Sequence, residues 1–94
     1  MTDAEYNFSY DAKKYGLALG VYIKVTKTRK DIPSPVEVGH SVTGHICAEL
    51  TLNNALYFSE YHNQNITSEL RRIFKEKDKT FIETRTSIYE VIFL

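Results

Sequence analysis

Tryptophan is absent, cysteine occurs once, proline twice and glycine four times, and each scarcity excludes something. The lone Cys47 cannot form an intramolecular disulfide, so the chain is no cystine-stapled scaffold, and a reducing, cytoplasmic setting is expected. There is no repeat and no low-complexity tract. No apolar run approaches the roughly 20 residues of a membrane-spanning helix; none is longer than Val91–Leu94 at the end of the sequence. The first ten residues are polar and acidic, without the basic and apolar regions of a secretion signal. A nucleophile elbow, a phosphate-cradling glycine loop and a paired-cysteine motif are all missing. The expectation is therefore a protein with no catalytic residues, no bound metal, no cofactor and no membrane partner.

What remains is one domain, 1–94. A chain of 94 residues buries roughly 60–70% of the surface that its unfolded form exposes. A hydrophobic content of 43% then suffices for a core without staples. Net charge is zero, but the charges are segregated. Residues 12–30 hold Lys13, Lys14, Lys24, Lys27, Arg29 and Lys30 with no acid, and residues 31–70 hold acids with no Lys or Arg. Residues 71–79 turn basic again with Arg71, Arg72, Lys75, Lys77 and Lys79. Such blocks point to an electrostatically patterned surface if the fold keeps them apart.

Period-two patterning dominates. In 17–25, Leu17, Leu19, Val21, Ile23 and Val25 share one face. From 36 to 52 the even positions are mostly apolar, predicting a long strand bent at Gly39 or Gly44, or two strands with a common inward face. Asp31 to Pro35 reads as a loop. Asn53-Asn54 suits a tight turn, so Ala55–Tyr61 should return antiparallel to 46–52. Ile66, Leu70, Ile73 and Phe74 lie at i, i+4, i+7 and i+8, predicting an amphipathic helix over 66–77. The last segment, 80–94, reads as a strand, apolar on both sides from Ile88. Tyr6, Phe8 and Tyr10 alternate like a short N-terminal strand. The expected architecture is α+β: an antiparallel β-sheet of four to five strands with one amphipathic helix packed across it.

Three side-chain groups carry chemistry. His45, Cys47 and Glu49 project together from a strand face and are ligand types for zinc, although a fourth ligand is missing and a polar face is the simpler reading. His40 interrupts an apolar face and reads as a structural histidine. Seven tyrosines without a tryptophan supply broad contact area with a polar tip, as partner-binding surfaces do. The expectation is a small non-enzymatic protein-binding module acting by surface complementarity. Inhibitors, immunity proteins and phage- or virus-encoded antagonists are of this kind. Its contact residues would be Tyr22, Lys24, Lys27, Arg29, Tyr57, Tyr61, Arg71 and Arg72, with an unidentified protein partner and a homodimer through the C-terminal strand. Two alternatives stand beside it. One is nucleic-acid binding by the basic strand 24–30 and the helix 66–77, against which the pI of about 6.8 counts. The other is a small-ligand site or enzyme built on His40, His45 and Cys47 at a dimer interface.

Overall fold

The structure, a computed structural model, describes residues 2–30 and 38–94. Its order is α1 (Asp3–Lys14), β1 (Tyr22–Lys30), β2 (Ser41–Ile46), β3 (Ala55–Glu60), β4 (Asn63–Glu76), β5 (Lys79–Thr84) and β6 (Ser87–Phe93). Every neighbouring pair is antiparallel, and β6 pairs back onto β1, closing the sheet into a six-stranded barrel. Among the described residues the molecule is thus α+β with one helix and an antiparallel sheet, as expected. That sheet has six strands closed into a barrel, where four to five strands were expected.

The helix is N-terminal, where a strand through Tyr6, Phe8 and Tyr10 was expected. Its ends explain it. Thr2 is the N-cap: its hydroxyl accepts from the Glu5 amide at 3.2 Å, and the Glu5 carboxylate accepts from the Thr2 amide at 3.3 Å. This is a capping box. At the other end Gly16 takes φ +87°, with Gly16 N–H donating to Lys13 O at 3.0 Å and Leu17 N–H to Ala12 O at 2.8 Å. That pair of bonds is a Schellman stop, which favours glycine at the left-handed position. Phe8 and Ala12, one turn apart, are buried with Leu17 and Leu50.

The expected helix over 66–77 is instead the strand β4, and two β-bulges account for the resemblance. One register shift lies between Ala55 and Tyr57 against β4, the other between Leu70 and Arg72 against β5. Each inserts a residue into β4, so buried positions there are no longer two apart. Leu70 and Ile73 point inward while Arg71 and Arg72 are both exposed. A spacing of three reads as a helical turn. The segment 80–94 is two strands, β5 and β6, joined through Arg85 and Thr86.

Elsewhere the period-two reading holds over shorter spans. In the segment 17–25 only residues from Tyr22 onward are strand, with Ile23 and Val25 inward. Within 36–52 the strand is Ser41–Ile46, and Gly44 and Ile46 face inward. Gly39 sits in the turn before it with φ +90°. The expected loop over Asp31 to Pro35 and the start of the expected strand at 36–37 lie outside the described residues. β3 does return antiparallel to β2, with His45 opposite Ser59 and Ile46 opposite Phe58. Asn53, at φ 68°, belongs to a longer connection whose backbone bonds to Leu70.

The barrel has unlike ends. At the lower end β1, β3 and β5 begin and β2, β4 and β6 finish. Here α1 and the 47–54 connection cover the core of Ile23, Ile46, Leu56, Leu70, Ile82 and Val91. Lys75 and Phe93, from the ends of β4 and β6, reach Tyr15 and Gly16 just after the helix. The upper end carries buried polar side chains instead: Lys27, Thr84 and Ser87 are each 2% exposed or less. Ser68, Thr84 and Thr86 form a hydroxyl chain, with Ser68 donating to Thr84 at 2.8 Å. Burial of Thr84 and Ser87 is tolerated because these hydroxyls bond one another's neighbours and backbone, Thr84 donating to the Ser87 carbonyl and the Ser87 hydroxyl bonding Thr86.

Thr2→Ala is expected to lower stability by about 1 kcal/mol through the lost cap. A Cβ at Gly44 would sit 2.9 Å from the Ser59 carbonyl oxygen, so Gly44→Ala is expected to cost about 1–3 kcal/mol by overpacking. Urea unfolding measures both as lower midpoints at unchanged slope. A Gly44→Ala protein as stable as the parent would contradict the close approach of β2 and β3.

Candidate functional site

The upper rim concentrates the features that folding does not require. Pairing of β4 with β5 begins at Leu70 opposite Thr84, so residues 63–68 run past the end of β5. Among the described residues they pair only with β3. The β3–β4 hairpin therefore projects from the barrel. Tyr61 and His62 form its two-residue turn, Glu60 pairing with Asn63. Tyr61 has φ 54° and is 93% exposed. Below it on the outer face, Tyr57 lies directly opposite Ile66, and these are 37% and 60% exposed. Ser59 opposite Gln64 completes the face between them.

Between this hairpin and β1, β2 and β6 the barrel mouth holds a recess of about 100 Å³. Val25, Val42, Phe58 and Tyr89 make its apolar wall, His40, Asn65 and Thr67 its polar edge, and Ile66 borders it from the hairpin. His40, read as core-facing, thus stands at the rim, and its carbonyl accepts from the Lys27 amide at 3.0 Å. Burial holds the Tyr89 hydroxyl above its ordinary range, an effect partly offset by its hydrogen bond to Ser87.

Glu60 ties the hairpin to the barrel wall. Its carboxylate accepts from the Tyr22 hydroxyl and from the Thr43 hydroxyl. Tyr22 in turn stacks on His45 with ring centroids 4.5 Å apart. The bond from Thr43, then that from Tyr22, holds the Glu60 carboxyl below its ordinary value. The same carboxylate pushes the Tyr22 hydroxyl up.

The eight expected contact residues are dispersed by this geometry. Tyr57 and Tyr61 share the hairpin. Tyr22 is half-buried in the Glu60 network. Lys24 and Arg29 stand on β1, and Arg71 and Arg72 on β4. In a ring of six strands β1 and β4 are diametrically opposed. The basic residues of the nucleic-acid alternative therefore occupy opposite walls, and the helix it invoked is a strand. Lys27 does not stand on the surface: it is 1% exposed, with its ammonium 5.5 Å from the Tyr89 ring centre. Extending the alternation Ile23, Val25 by one step to Lys27 would have placed it inside. Arg71 donates to Asn53 at 2.6 Å, and Arg72 pairs with Glu83 at 2.9 Å.

Of the third alternative, His45 and Cys47 lie on the outside of β2 and in the connection after it, away from the mouth where His40 stands. Cys47 is exposed, with its Sγ 3.5 Å from the Ser59 hydroxyl. Among the described residues no three His, Cys, Asp or Glu side chains gather closely enough to hold a metal ion. β6, the expected dimer strand, is hydrogen-bonded on both edges, to β1 and β5, so only its outer face is open to a second molecule. Among the described residues no helix is long and apolar enough to cross a membrane. Ile66 and Glu60 were not foreseen: Ile66 was read as part of a buried helical stripe, and Glu60 carries no local pattern.

Comparison of the chain with protein-family models, with curated proteins and with solved structures finds no match. The functional reading rests on geometry.

A carboxylate held low in the folded state adds stability that is fully present above its ordinary value and is lost as pH falls through the lower folded value. Glu60→Gln is therefore expected to lower the melting temperature at pH 7. Its effect should shrink as pH drops below the ordinary 4.5. Melting curves of both proteins from about pH 7 to about pH 3 decide this. A gap independent of pH would mean that the Glu60 charge does not anchor the hairpin.

Proposed function

We propose that the protein is a non-enzymatic protein-binding module, of the kind by which small inhibitors and antagonists act, and that it docks through the outer face of the β3–β4 hairpin. The observation that carries this is Tyr61. A bulky side chain in left-handed backbone costs about 1 kcal/mol or more, and at 93% exposure the ring recovers almost nothing by burial. The two-residue turn calls for that backbone, but asparagine or glycine meets it at lower cost, so the exposed tyrosine ring adds nothing to the isolated fold. It suits a partner that buries the ring. Tyr57 and Ile66 extend the same face, giving an aromatic and aliphatic anchor set of the sort that dominates protein interfaces. The Glu60 bonds to Tyr22 and Thr43 hold the hairpin in one orientation, which lowers the ordering cost of binding.

The test is affinity capture from lysate of the source cells with the parent and with a Tyr57→Ala/Tyr61→Ala/Ile66→Ser variant. The parent should retain a defined protein that the variant loses by at least about tenfold, about 1.4 kcal/mol, while both unfold cooperatively. Equal retention by a folded variant would refute the hairpin as the docking face.

A further inference from the structure

The outer face of the β4–β5 hairpin carries three cross-strand pairs in succession: Arg72 opposite Glu83, Phe74 opposite Phe81, and Glu76 opposite Lys79. All six point outward, because Ile73, Thr80, Ile82 and Thr84 take the buried positions between them. The aromatic pair is stacked, with centroids 5.2 Å apart and planes at 13°. The Arg72 guanidinium lies 4.3 Å over the Phe74 ring while bonding Glu83 at 2.9 Å.

The charges on this face are antisymmetric about the aromatic row. Along β5 they run positive, apolar, negative, through Lys79, Phe81 and Glu83. Along β4, in the same spatial direction, they run negative, apolar, positive, through Glu76, Phe74 and Arg72. A half-turn about an axis lying in the face, along the aromatic row, maps each strand onto itself with its ends exchanged. Two copies related in this way bring Lys79 against the partner's Glu83, Glu76 against the partner's Arg72, and the phenylalanines against themselves. A partner of single charge sign would meet repulsion at one end of each strand. A second copy meets opposite charge at both, which is the self-complementarity that a two-fold interface requires.

We infer that the chain forms a homodimer through the outer face of the β4–β5 hairpin, with its two-fold axis along the aromatic row. This does not depend on the docking role of the β3–β4 hairpin. The barrel's curvature turns β3 and β6 away from the partner, so the contact is two strands wide. It falls below the roughly 800 Å² per partner of a standard interface, and the association is correspondingly weak.

The test uses charge reversals that keep each cross-strand pair within the chain. Glu76→Lys/Lys79→Glu reverses one end of the face, and Arg72→Glu/Glu83→Arg reverses the other. Each variant alone brings like charges together at both ends of the dimer. Mixed, the two variants are complementary again. Sedimentation equilibrium between about 10 µM and about 1 mM should show dimer for the parent. Each variant alone should associate at least about tenfold more weakly, and the equimolar mixture should recover the parent's affinity. The parent alone supplies a second reading, since its dimer should weaken as salt rises from about 50 mM to about 500 mM. A parent that stays monomeric overturns the inference. So does dimerisation of each variant at parental strength, or a mixture that stays as weak as its components.

Discussion

Everything else in this molecule depends on the pairing of its last strand with its first. Residues Ile23 to Lys30 meet Phe93 to Ser87 in antiparallel register. That ladder turns a six-stranded meander into a barrel and removes the two free edges that an open sheet of this kind would present. Closure also divides the side chains cleanly. On β6, Ser87 and Val91 are buried, while Ile92 faces outward and is exposed. The inner set then splits along the barrel axis. The lower interior is aliphatic and sealed by a helix fixed at both ends by its own capping bonds. The upper interior, with Lys27, Thr84 and Ser87, is polar and opens at the rim.

β4 is the strand through which this scaffold meets the outside. Its first residues run beyond β5 and build the projecting hairpin with Tyr61 and Ile66; its last residues pair with β5 and present Arg72, Phe74 and Glu76. The two bulges between these halves let one strand of 14 residues serve both faces. An unbulged strand would carry one alternation along its whole length. The bulges re-aim side chains midway, so that Leu70 and Ile73 still fill the core while Arg71 and Arg72 both reach solvent.

The same bulges limited what the sequence revealed. Strand alternation was legible wherever pairing is regular, as at Ile23 and Val25 or at Gly44 and Ile46. It was masked in 66–77, where a three-residue spacing between inward side chains imitates a helical face. The true helix was marked by Thr2 with Glu5 three residues on and by Gly16-Leu17 past its end, but its apolar face is narrow, only Phe8 and Ala12 being buried. Barrel closure had no local signature, because register between residues as far apart in the chain as Ile23 and Phe93, or Lys30 and Ser87, leaves no periodic trace near either one. Of the surface, Tyr57 and Tyr61 were legible only as members of a tyrosine-rich, tryptophan-free composition. Ile66 was not, since an isoleucine reads as core until its neighbours' faces are known.

The most direct test of this account is the nuclear Overhauser contact pattern across the closing ladder, taken together with backbone shifts of residues 66–77. Close contacts should appear between Val25 and Val91 and between Lys24 and Ile92, with strand-type shifts through β4 and helix-type shifts confined to residues 3–14. Absence of the β1–β6 contacts, or helical shifts between Ile66 and Lys77, would contradict the closed barrel and with it both outer faces.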